Sequence, residues 1–97
     1  MVCAAGVVRV VIPRKFKLAN RTWHVCRRRM RNFGECDTDH AVIRIKRGLR
    51  GELLRHTFMH ELLHAVFNAQ GWASANKNEA RIDALAGLIV QALESAE

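Results

Sequence analysis

The sequence predicts an α+β domain: a small three-stranded sheet followed by two packed helices. Three observations carry this reading. The first half is rich in β-branched residues and alternates apolar with polar positions. From Glu52 onward the apolar residues recur at helical spacing instead. Glycines and a capping pattern fall where the period changes and where the helical runs stop and restart. The 97 residues have the length of one domain, taken as 1–97, and 49% hydrophobic content suits a packed core rather than a disordered chain.

Residues 7–12, VVRVVI, read as extended, and Pro13 interrupts them. The run from Lys15 alternates through Phe16, Leu18, Trp23 and Val25, with Asn20 and Arg21 between its two halves. It predicts a β-hairpin turning near Ala19–Arg21. RNFGECDTD, residues 31–39, combines Gly, Asn and two Asp and reads as a loop. His40 to Gly48 reads as the next strand, because Ile43 and Ile45 alternate with Arg44 and Lys46. Gly48 and Gly51 bracket a turn. Leu53, Leu54, Phe58, Leu62, Leu63, Val66 and Phe67 then mark a strongly amphipathic helix that Gly71 stops. After the short linker WASA, a second helix is expected to begin at Asn76. There N-K-N-E forms a capping box, with Asn76 as cap and Glu79 three residues on.

The formal charge is +7, from 16 Lys and Arg against 9 Asp and Glu. Such a balance favours acidic partners, nucleic acid among them. Arg27–Arg31, RRRMR, is the one dense cluster and reads first as a solvated strand end, since no aromatic residue interleaves it. Cys3, Cys26 and Cys36 are odd in number and irregular in spacing, as free thiols in a reducing compartment would be. No signal peptide and no membrane span is recognisable, so a soluble cytoplasmic protein with no membrane partner is expected, its oligomeric state left open.

The chemistry is concentrated in Met59-His60-Glu61-Leu62-Leu63-His64, which contains H-E-x-x-H. Residues i and i+4 stand one above the other on a helix, so His60 and His64 can reach one zinc ion. Glu61 lies one position round the helix, where it can lean over the open side of the metal and take a proton from water. A third protein ligand is needed. The metzincin extension fails, because Phe67 stands where Gly should be and Gln70 where the third His should be. A carboxylate on the second helix can serve instead. Glu79 and Asp83 share one face, which Ala86, Gly87 and Val90 continue with groups small enough for close helix approach. Glu79 can ligate Zn²⁺, and Asp83 can accept a hydrogen bond from the far nitrogen of a liganding histidine.

H-E-x-x-H followed by N-E-x-x-x-D resembles the gluzincins, the thermolysin-like clan of zinc metallopeptidases. The short spacing resembles the minimal gluzincins and the phage and bacterial domains of the ImmA/IrrE and SprT-like kind. The resemblance implies a peptide or protein substrate, zinc held by His60, His64 and Glu79, and Glu61 as general base. It further implies that the strand before the active helix is a sheet edge on which an extended peptide pairs. Here that would be Ala41, Val42, Ile43, Arg44 and Ile45, continuing to Lys46. Larger gluzincins supply a His or Tyr to the oxyanion from later in the chain, and neither follows Asp83. A donor could come from His24, His40, His56 or an arginine; His56, four residues before His60 on the same face, could sit near the metal. Two other readings fit the sequence: a catalytically weak or latent zinc-containing binding module, and a nucleic-acid-associated protein.

Overall fold

The computed structural model describes residues 10–96. Among them the chain forms a mixed four-stranded sheet and three helices, an α+β arrangement with one strand and one short helix more than expected. β1 (Lys15–Leu18) and β2 (Arg21–Arg28) make the expected hairpin. Its two-residue turn has Ala19 at φ 52 and Asn20 at φ 63, the left-handed pair whose twist matches the strands it joins. β3 (Gly34–Asp37) lies inside the stretch read as a loop, and β4 is Val42–Lys46. The strand order is β1-β2-β4-β3, with β2 and β4 parallel and the other pairs antiparallel. Of the extended run expected over 7–12, residues 7–9 lie outside the described residues, and residues 10–12 form no strand. The N–H of Val10 donates instead to Glu94 Oε2 at 2.9 Å.

Gly34, Asn32, Asp37 and Asp39 made residues 31–39 look like a turn, but the alternation of β3 is sound. Cys36 packs against the core, while Glu35 and Asp37 face the other way and reach Arg44 at 3.9 and 3.0 Å. Cross-strand ion pairs make the acidic residues compatible with this short strand.

α1 (Gly51–Gln70) ends where expected. Gly71 adopts φ 74, and the N–H groups of Gly71 and Trp72 return to the carbonyls of Asn68 and Phe67. A single turn, α2 (Ala73–Asn76), leads to α3 (Glu79–Ser95). The second long helix thus starts later than the capping box predicted. Asn78 is the cap, its Oδ1 accepting from the Arg81 N–H at 3.1 Å, and Asn76 is free for another role.

Two apolar clusters hold the domain, and α1 contributes to both. Trp23, Ile43, Ile45, Phe58 and Ala65 fill the space between the sheet and α1. Met59, Leu63, Ile82, Ala86 and Val90 fill the space between α1 and α3. α1 therefore lies between two layers and is not the one-sided amphipathic helix the sequence suggested. An ion pair of Arg55 Nε with Glu94 Oε2, 2.6 Å, links α1 to α3 near the end of α3. No helix among the described residues is long and apolar enough to cross a membrane.

Candidate metal centre

His60 and His64 leave α1 on the side facing the start of α3, with ring centroids 5.0 Å apart. Glu79, the first residue of α3, reaches back between them. Its Oε2 lies 2.9 Å from His60 Nε2, and its Oε1 lies 2.9 Å from His64 Nε2. The three side chains form a group whose donor atoms all fall within 4.8 Å of one another. The late helix start matters here, because Asn78 carries the cap and the Glu79 carboxylate is left for the two imidazoles.

The far nitrogens of both rings have oxygen partners. His60 Nδ1 lies 3.1 Å from Asp83 Oδ1, and His64 Nδ1 lies 2.7 Å from Asn76 Oδ1. With each Nδ1–H donating to its oxygen, both Nε2 lone pairs point at the Glu79 carboxylate. Lone pair against carboxylate is repulsive unless a proton or a cation lies between them. Two imidazole nitrogens and one carboxylate, with both rings oriented from behind, suit a divalent transition metal. The donor chemistry therefore fits a metal ion.

Where Nε2 instead carries a proton and donates it to Glu79, burial pushes the carboxyl up, but the hydrogen bonds and charges of His64 and His60 outweigh it and hold the group below its ordinary value. The hydrogen bond from His56 leads in lowering Asp83, with burial opposing and His60 adding. Both carboxylates are thereby kept as anions. Glu61 is different: burial raises its carboxyl, against the opposing charges of His60 and His64. It is only 8% exposed and lines both cavities beside the histidines. Its stem passes under Gly34, where an added Cβ would stand 3.1 Å from Glu61 Cγ and 2.9 Å from Thr57 Cγ2.

The larger cavity, about 670 Å³, lies between Phe33, Leu53, His56 and Thr57. The other, about 510 Å³, runs along Glu35, Cys36 and Thr38 to His64 and Glu79. Cys36 takes no part as a thiolate, because burial, then the charges of Glu61 and Asp37, push its thiol up to about 12. His56 does not present a free donor to the cleft. Its Nε2 lies 2.8 Å from Asp83 Oδ1, and Gly87 leaves room for the other side of the ring.

Of the residues expected from sequence, His60, His64, Glu79, Asp83 and Glu61 come together around the two cavities. The expected substrate strand does not. β4 is hydrogen-bonded on both sides, to β2 and β3, so its backbone has no free edge. Ile43 and Ile45 are wholly buried, Ala41 is 3% exposed in the preceding turn, and Arg44 is paired with Asp37. Val42 pairs with His24 and Asp37 inside the same sheet. The edge beside the histidines is β3, inside the stretch whose Gly, Asn and Asp content predicts a loop. Sequence reasoning also missed Asn76 as the partner of His64, since its position before Glu79 read as a cap. Compared with protein-family models, curated proteins and solved structures, the chain shows no match.

Proposed function

We propose that this chain is a zinc-dependent endopeptidase of the gluzincin type. The observation that carries the proposal is the meeting of His60 Nε2, His64 Nε2 and the Glu79 carboxylate, with Glu61 beside them in the cleft. His60, His64 and Glu79 would hold the zinc. A bound zinc ion would polarise a substrate carbonyl and lower the pKa of water at the site. Asp83 and Asn76 keep the two rings in the tautomer and orientation that ligation needs.

Glu61 acts as general base and then as general acid. It accepts a proton from water as the water oxygen bonds to the scissile carbonyl carbon. It returns that proton to the amide nitrogen as the C–N bond breaks. A carboxyl raised by burial is matched to both halves of that transfer better than one at its ordinary value.

The substrate backbone would pair along β3, not β4. β3 is the edge strand, and Gly34, Glu35 and Cys36 line the same cavity as His60, His64 and Glu79. Main-chain bonds to a free edge supply affinity, and neighbouring pockets select side chains. His56 Nε2 is engaged by Asp83. Without a strong oxyanion donor the rate would lie about 10²–10³ below that of a peptidase that has one.

The test is metal content and peptide cleavage measured together on wild type and Glu61→Gln. About one zinc per chain is expected in both, with cleavage lost in the variant by about 10²-fold or more. Equal cleavage by the two proteins with zinc bound would rule out this mechanism, and a chain that takes up no zinc at neutral pH would rule out the site.

A further inference from the structure

β2 and β4 run parallel as neighbours, with Arg27 opposite Ile45 and Arg28 opposite Lys46. Their C-terminal ends therefore leave the sheet together, bringing residues 27–31 alongside residues 46–50, RRRMR beside KRGLR. Neither segment contains an acidic residue. Two of the cations staple the segments together: Arg27 Nη1 donates to the carbonyls of Lys46 and Leu49 at 3.4 and 3.3 Å, and Lys46 Nζ donates to the Arg31 carbonyl at 3.4 Å. The other five, Arg28, Arg29, Arg31, Arg47 and Arg50, are exposed, and their guanidinium groups make no hydrogen bond or ion pair among the described residues. Phe33 stands at the border of this patch, 52% exposed, with Lys46 Nζ 6.0 Å from its ring centroid. No aromatic residue lies within the arginine cluster, and Phe33, two residues beyond it, borders it.

Charge is segregated in this molecule. Five of the nine acidic residues, Glu35, Glu52, Glu61, Glu79 and Asp83, line the two cavities of the metal centre, and no described Lys or Arg does. A polyanion is thus repelled from the cleft and attracted to the end of the sheet.

We propose that this end of the sheet binds single-stranded nucleic acid, with phosphates on Arg28, Arg29, Arg31, Arg47 and Arg50 and a base stacked on Phe33. All five free cations are arginines, whose planar fork matches phosphate oxygens. An exposed ring flanked by cations is the arrangement on which an unpaired base stacks, and a duplex keeps its base faces hidden. An anionic bilayer would favour several protruding apolar side chains among the cations, yet Phe33 is the only exposed large hydrophobic residue between positions 27 and 50. Phe33 also borders the larger cavity of the metal centre, but none of the five arginines lines it, and the inference needs no metal there.

The experiment is fluorescence anisotropy of a labelled oligothymidylate with the full chain, at salt from about 50 to about 200 mM. Five phosphate contacts give a slope of log K against log salt near −3.5, at about 0.7 per phosphate, so affinity falls about 100-fold over that range. Arg47→Ala/Arg50→Ala should flatten the slope by about 1.4. Lys77→Ala/Arg81→Ala removes the same charge elsewhere and should leave the slope unchanged. Phe33→Ala should weaken single-strand binding about tenfold and leave duplex binding alone. Thermal melts check folding, and Arg28→Ala/Arg29→Ala replaces the first pair if it does not fold. The proposal is overturned by absence of binding at the lower salt, by equal losses in the patch and control pairs, by tighter binding of duplex, or by equally tight binding to phosphatidylserine vesicles.

Discussion

Replacing Gly34 by alanine should injure the centre through a contact with no ligand in it. Gly34 opens β3 directly above α1, and a Cβ there would lie 2.9 Å from Thr57 Cγ2, 3.1 Å from Glu61 Cγ and 3.3 Å from the Arg44 carbonyl oxygen. The closest of these is about 0.6 Å inside the separation at which carbon atoms attract best, about 3.5 Å. Thr57 is β-branched, buried and stiff, and the Arg44 oxygen is backbone held in the sheet. The softest neighbour is the stem of Glu61, so the strain is relieved by moving the carboxylate. Overpacking of this kind costs about 1–3 kcal/mol. In a domain of this size that lowers Tm by roughly 4–8 °C per kcal/mol. On the proposed mechanism, a Glu61 displaced by about 1 Å would lose about 10²-fold in rate, while His60, His64 and Glu79 would keep the metal. Gly48→Ala is the control. Its φ is +91 and nothing lies within 4 Å of an added Cβ, so it strains the backbone far from Glu61. Differential scanning fluorimetry, zinc content and peptide cleavage on the three proteins separate the effects. If Gly34→Ala melts and cleaves like wild type, β3 does not press on Glu61 and the reasoning fails.

Three other outcomes are expected. Asn76→Ala removes the oxygen behind His64, and Asp83→Asn weakens the one behind His60; each should lower zinc affinity about 10–100-fold in a chelator competition, whereas a mere surface polar group would give no change. Ala19→Gly relieves a left-handed alanine in the β1–β2 turn and should raise stability by about 1 kcal/mol in urea unfolding; a loss would mean that the turn differs. Asp37 is lowered to about 2, first by the hydrogen bond from His40 and further by Arg44. Because its folded value lies below the unfolded 3.8, its contribution is complete above about pH 4 and disappears as pH falls towards 2. Asp37→Asn should therefore be less stable than wild type at neutral pH and equal to it near pH 2, and a pH-independent gap would exclude this linkage.

The hairpin, the β4 pattern, the main helix with its glycine stop and the His60–His64 and Glu79–Asp83 pairs, each sharing a helix face, were legible because each rests on local rules: alternation, i to i+4 spacing and turn chemistry. What was not legible is what pairing decides. Residues 34–37 look like a loop until the ladder to β4 and the Arg44 ion pairs are in place. The resemblance to gluzincins implies an edge at Ala41–Lys46, whereas here β3 pairs along that strand and covers it. Asn76 and Asn78 sit two residues apart and both suit a cap, and only the tertiary partner of Asn76, His64, tells them apart.

The same limit explains how one helix can carry the centre. At about 100° per residue, Leu62, Phe58 and Ala65 point to one side of α1, roughly within 60° of one another, and Met59 and Leu63 to a second side about 100° away. The first group meets the sheet and the second meets α3. Continuing round the helix come His56, His60 and His64, then Thr57 and Glu61, before the sheet side returns. The histidines thus open onto the seam with α3, where Glu79 and Asp83 arrive, while Glu61 falls between them and β3, shielded by Gly34. A helix packed on α3 alone would leave Glu61 in water. Burial on two sides leaves one polar strip, and within that strip His60 and His64 face the seam while the acid lies against the sheet. The difference in environment between Glu61 and Glu79, one raised and one lowered, is a consequence of that packing.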